Sequence, residues 1–150
     1  MEKRKIVRIV LLLALAALVL IQFFSIDKTN PPVNTAQDFI QNTNPPAEIA
    51  NILKTACYDC HAHTTEYPWY TNIQPFAWWI KGHIDHGRDH LNYSTWTTYE
   101  AKKKSHKIEE MIEVIEDKEM PMLSYMVAHQ EAWIDDAQRK LLVDWFKTLE

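Results

Sequence analysis

The sequence predicts an all-α fold, a single helical domain placed after one N-terminal transmembrane helix. Three observations carry this reading. A 19-residue run from Ile6 to Phe24 has Arg8 and Gln22 as its only strongly polar members. Apolar residues recur at three- and four-residue spacing in three later segments, and no segment alternates apolar with polar residues as a half-buried strand does. At 150 residues the chain holds one modest domain with a short appendage.

As a helix the run over residues 6–24 spans about 28 Å, enough to cross a bilayer. Lys3, Arg4, Lys5 and Arg8 crowd its start, which puts the N-terminus inside and the remainder outside. The FFSIDK that follows offers no small-x-small cleavage site, so the run reads as a retained signal anchor. No cysteine lies nearby to carry a lipid. The expectation is a single-pass protein of the cytoplasmic (inner) membrane, its folded domain on the periplasmic or extracytoplasmic side.

Residues 25–46 are polar and carry TNPP twice, at Thr29–Pro32 and Thr43–Pro46, which reads as a tether. The second TNPP also looks like a helix start, with Asn44 as N-cap and Pro45 as first helical residue. Ile49, Ile52, Leu53 and Ala56 then share a face, and the domain occupies residues 47–150. In the aromatic stretch that follows, Pro68 argues for a loop and Pro75 opens a helix running to about His90. Thr97 and Glu100 have capping-box spacing ahead of the stripe Ile108, Met111, Ile112 and Ile115, in a helix ending near Glu119. MPMLSYMVAHQEAW reads as a loop. Asp135 starts a last helix with Leu141, Leu142, Trp145, Phe146 and Leu149 on one side.

Both cysteines of the chain stand in Cys57-Tyr58-Asp59-Cys60-His61. This C-x-x-C-H spacing is that of c-type haem attachment: two thiols one helical turn apart reach two vinyl groups, and the adjacent imidazole lies under the iron. Two rival readings exist. A redox dithiol is expected on an α/β pattern, and a zinc site drawing Cys57, Cys60, His61 and His63 from seven residues is strained. The expected cofactor is therefore one covalently attached haem c, with its iron, at Cys57, Cys60 and His61.

From Ser25 onward there are 12 Lys or Arg against 19 Asp or Glu, and no basic stretch interleaved with aromatics, which argues against nucleic acid as a partner. Lys102, Lys103, Lys104 and Lys107 can dock an acidic partner but are most simply a solvated face.

The motif and its surroundings resemble a family of bacterial haem-binding domains related to class I cytochrome c, over roughly Asn30 to Trp145. The segments that carry the resemblance are NPPV (Asn30–Val33), CYDCH (Cys57–His61), YPWYTNIQP (Tyr67–Pro75), Trp78-Trp79, LNYS (Leu91–Ser94) and EMP (Glu119–Pro121). It implies a cytochrome-c-like helical fold whose first and last helices pack together. It also implies a methionine opposite His61. Met111 belongs to an apolar stripe, whereas Met120 and Met122 fall in a loop where such cytochromes place their ligand. The EMP segment favours Met120, with Met122 second and Met126 third.

The resemblance further suggests that a backbone carbonyl near Pro68 accepts from the His61 ring. The aromatics from Tyr67 to Trp79 are candidates for walls of the porphyrin site, with ordinary packing as the simpler reading. His83, His86 and His90 share a helix face and can supply a ligand or a separate metal site, although a solvated or packed face is simpler. His63, His129 and these three are left outside the iron set, which is His61 and Met120.

Functionally the chain reads as a membrane-anchored monohaem electron carrier exchanging single electrons with redox partner proteins, with the N-terminal helix as its membrane contact. No nucleophile or acid–base constellation argues for an enzyme. The alternatives are a haem-based sensor or peroxidase-like protein with an open sixth position, and a thiol-redox or structural module.

Overall fold

A computed structural model of the chain describes residues 2–149, so the C-terminal limit of the expected domain, Glu150, lies outside the described residues. Among those residues there are eight α-helices, four short 3-10 segments and no strand. They fall into two compact units: the chain up to Thr29 with Tyr67–His83, and Asn30–Glu66 with the chain from Ile84 onward.

In the first unit, α1 (Glu2–Ile21) buries no residue. The expected transmembrane anchor is corrected here. Glu2, Lys3, Arg4, Lys5 and Arg8 lie within the helix, and the helix stops at Ile21, where Gln22, Phe23 and Phe24 turn back onto Val19, Leu20 and Ile21 carbonyls. The uncharged part of the helix runs only from Ile9 to Ile21, about 20 Å against a hydrocarbon core of about 30 Å. No helix among the described residues is long and apolar enough to cross a membrane. The single-pass inner-membrane location, and the side assigned to the domain, rested on that crossing and are withdrawn with it.

Beyond α1, Gln22 and Gln74 exchange side-chain-to-backbone hydrogen bonds at 3.1 and 3.0 Å, and the Phe24 carbonyl accepts from Gln74 Nε2 and Trp78 Nε1. Trp69, Phe76, Trp78 and Trp79 are exposed in this unit.

The second unit holds the core. It begins inside the segment read as a tether. Asp38 caps α2 (Phe39–Thr43), and Phe39, fully buried, sits 4.9 Å from the Tyr93 ring, 4.7 Å from Trp96 and 5.9 Å from Trp145. Asn44 does not open the next helix. It adopts the left-handed conformation at φ 46° and closes α2, so α3 (Ala47–Ala56) starts after Pro46. Ile49, Ile52, Leu53 and Ala56 are buried along α3, as their spacing predicts.

Cys57 separates α3 from the single turn α4 (Tyr58–His61). Helix α5 (Phe76–His90) follows, and its last two turns belong to the second unit. The expected capping box at Thr97 and Glu100 is absent, because Thr97 lies in a 3-10 segment (Tyr93–Thr98) and Glu100 caps α6 without a side-chain bond. Helix α6 (Ala101–Glu116) buries Ile108, Met111, Ile112 and Ile115.

The segment from Met120 to Trp133 is not wholly a loop, since α7 (Leu123–Ala128) forms within it. The final helix α8 (Asp136–Phe146) starts at Asp135 as expected, and a capping box between Asp135 and Gln138 closes its first turn. Helix α8 packs chiefly on α6, while α3 packs on α4 and on the short turn Gln130–Ala132; all contribute to one core. Burial of side chains such as Phe146, Leu142 and Leu53 contributes about 1.5–3 kcal/mol each.

Candidate haem site

The C-x-x-C-H pentapeptide is held at every position. Cys57 leaves helical geometry (φ −127°), and its carbonyl accepts from Cys60 N at 3.2 Å and His61 N at 3.0 Å, closing one turn that brings both thiols and the imidazole together. The two intervening residues anchor that turn. Tyr58 is buried, stacks on Tyr93 with ring centroids 5.1 Å apart, donates to Asp38 Oδ2 at 3.0 Å and accepts from Ile40 N. Asp59 accepts from Tyr125 Oη at 2.7 Å and from Glu66 N at 3.0 Å.

His61 Nδ1 lies 3.0 Å from both the Gly87 and the Leu91 carbonyls. A carbonyl can only accept, so Nδ1 carries the proton and shares it between them, which leaves the Nε2 lone pair for a metal. Pro68 is not the partner. Burial holds the His61 pKa below its ordinary value, against the opposing pull of the two carbonyls, so the ring is neutral as a ligand must be.

Gly87 makes this approach possible: a Cβ there would stand 2.9 Å from the Cys60 carbonyl oxygen and 3.4 Å from His61 Cε1. One residue further along α5, Arg88 donates from Nε to the Ala62 carbonyl and from Nη2 to Asn30 Oδ1 and Thr65 Oγ1. His63 is engaged at both ring nitrogens, with the Pro32 carbonyl and Asn92 Nδ2, while its backbone N donates to Ser94 Oγ. The NPPV and LNYS segments thus brace the chain leaving the motif.

Cys57 and Cys60 are free thiols. Burial pushes Cys57 up to about 12 and Cys60 up to about 11, with the neighbouring thiol or Asp59 adding to the effect. A redox dithiol needs a depressed pKa, so these surroundings disfavour that reading. The strained zinc set is disfavoured as well. His63 is spent on other bonds, and among the described residues no group of three or more His, Cys, Asp or Glu is arranged to hold a metal ion.

Met120 lies about 60 residues beyond the motif in the same unit, half-buried in the turn after α6. Lys118 takes the left-handed conformation at φ 61°, Glu119 N and Met120 N both donate to the Val114 carbonyl, and the buried Arg139 donates to the Met120 carbonyl at 2.7 Å. Met122 caps α7, and Met126 is buried in it. Met111 is core, its Sδ accepting from Tyr93 Oη at 3.2 Å. The aromatics from Tyr67 to Trp79 belong to the first unit, and the sequence alone did not single out Gly87, Arg88, Tyr125 or Arg139.

Free vicinal thiols, a neutral histidine with one committed nitrogen and a glycine-permitted close approach fit the attachment and ligation of haem. Residues 16–148 match the family described as a haem-binding domain. The chain belongs to that family and is a haem-binding protein. No curated protein and no solved structure matches it.

Proposed function

We propose that the chain binds one haem covalently, through thioethers at Cys57 and Cys60, with His61 and Met120 as axial ligands, and that it carries single electrons between redox proteins. The observation that carries this reading is His61, whose Nδ1 is committed to two carbonyls, leaving the Nε2 lone pair available on the turn that also carries Cys57 and Cys60. When bound, haem supplies a one-electron iron couple whose potential a thioether ligand raises.

The protein's own part is to orient. Gly87 and Leu91 fix the imidazole plane, Tyr58 and Asp59 hold the turn bearing the thiols, and Arg139 with Val114 holds the backbone at Met120. A fixed ligand set limits reorganisation between oxidation states, as an electron carrier requires. Within the lysine run, Lys103 lies 4.2 Å over the Tyr99 ring and Lys107 pairs with Glu110.

The test is a haemochrome spectrum of denatured protein, expressed with haem-maturation machinery and extracted with acid–acetone. Haem that stays with the chain, and is lost in Cys57→Ser/Cys60→Ser, is expected; quantitative extraction from the wild type overturns covalent attachment. Mixing the ferrous native protein with carbon monoxide then addresses the sixth position. Little or no uptake is expected of a carrier, whereas rapid stoichiometric binding favours a sensor or peroxidase-like protein with an open site.

A further inference from the structure

On the solvent side of α5, His86 and His90 are one helical turn apart and exposed. Their rings are 4.4 Å apart at the centroids and tilted by 54°, and the two Nε2 atoms face each other at 3.2 Å. His83, on the same face, is used differently: its Nδ1 bonds to the Trp79 carbonyl of the preceding turn.

Two imidazole nitrogens 3.2 Å apart, each bonded to an ion at 2.0–2.1 Å, subtend about 100° at it, close to tetrahedral. The 3.2 Å approach of the two Nε2 atoms is what distinguishes this pair from two histidines that merely share a face. We propose that His86 and His90 form a second metal site, a two-imidazole clamp for Zn²⁺ or a similar borderline divalent ion, with the remaining positions taken by water or an external ligand. Imidazole donors suit such ions. Both rings bind in the Nδ1–H tautomer, so the present Nε2–H···Nε2 contact is replaced by two nitrogen–metal bonds without loss of a net proton. The surroundings are compatible with added positive charge, because the Glu110 carboxylate, held mainly by Lys107, also feels His90. The pair is distinct from the haem site but close to it: His86 and His90 immediately precede Gly87 and Leu91, whose carbonyls hold His61, and both act electrostatically on that ring.

The experiment is calorimetric titration of the full-length, tag-free, haem-loaded protein with ZnCl₂, read together with ¹⁵N shifts of the histidine ring nitrogens. Expected are one saturable Zn²⁺ per chain, coordination shifts at Nε2 of His86 and His90, and at least about tenfold weaker binding in His86→Gln or His90→Gln, since each loses its chelating partner. His106→Gln, which alters the neighbouring His106–Glu110 pair, is expected to leave binding unchanged. No saturable uptake, undiminished binding in the His86→Gln/His90→Gln double variant, or loss in His106→Gln alone overturns the proposal. Both glutamines replace exposed residues, and circular dichroism of each variant checks that α5 is intact.

Discussion

Gly87 faces two opposing effects when it is replaced by alanine. Removing a glycine from a helix interior favours the helix by up to about 1 kcal/mol. The new Cβ, however, meets a backbone atom, the Cys60 carbonyl at 2.9 Å, which cannot move without disturbing the turn that starts at Cys57. Overpacking costs about 1–3 kcal/mol, so Gly87→Ala is expected to lower stability and haem content together, measured by denaturant midpoint and haemochrome yield. An unchanged midpoint shows that the approach of α5 to the motif is not tight. The thiols give a second residue-scale prediction. With Cys60 at about 11 rather than 9.0, the haem-free chain holds about 10²-fold less thiolate at pH 8, and alkylation by iodoacetamide should slow by about that factor relative to the unfolded chain. A folded pKa above the unfolded one favours the fold fully below about pH 9, and this contribution is lost as pH rises toward 11–12. The haem-free chain should therefore unfold more easily above pH 9, and a flat midpoint between pH 8 and 11 contradicts the burial of the thiols.

Arg139 ties two elements together, since it leaves α8 to donate to the Ile115 and Met120 carbonyls at the end of α6. Replacing it with methionine keeps the apolar stem but leaves both carbonyls without that donor. A loss of about 1.5–3 kcal/mol is expected, with a weakened methionine-to-iron absorption band and covalent haem unchanged. Met120→Ala should abolish the band; if Met122→Ala does so instead, the ligand is Met122. The sequence made part of this level legible and hid the rest for physical reasons. The stripes Ile49–Ala56 and Ile108–Ile115 announced α3 and α6 because burial follows helical periodicity directly. Asp135 announced the start of α8, because its side chain accepts from the Gln138 backbone N–H by purely local geometry. Asn44 misled because the same short amide side chain suits a helix start and a left-handed helix end, and which one applies depends on Phe39 being drawn into the core upstream. The C-x-x-C-H motif was readable as spacing. Its second layer was not, because Gly87, Leu91 and Arg88 lie about 25–30 residues away and act through backbone carbonyls or a long side chain, which no local pattern marks.

At the scale of the chain, the apolar N-terminal run shows why hydropathy alone overreached: composition over residues 6–24 counted apolar residues without knowing where the helix begins and ends. The helix takes in five charged residues and stops before Phe23, so its uncharged length falls short of a bilayer. None of its residues is buried, and every member of the hydrophobic core lies in the second unit, as do Cys57, Cys60, His61 and Met120. The core cluster thus takes no residue from α1. A chain starting at Ser25 loses the Gln22 bonds to Gln74 and the Phe24 carbonyl that accepts from Gln74 and Trp78, but keeps Asn30 and Pro32, and with them the braces to Arg88, Thr65 and His63. Removing a helix that contains no buried residue forfeits little apolar burial, and the lost hydrogen bonds, three part-buried and one exposed, are individually worth about 0.5–1.5 kcal/mol. The truncated protein should attach haem at wild-type stoichiometry and give the same methionine-to-iron band, with a thermal midpoint within a few degrees of the full chain. A truncated chain that expresses without haem, or that melts far below the parent, shows instead that α1 supports the haem-bearing core.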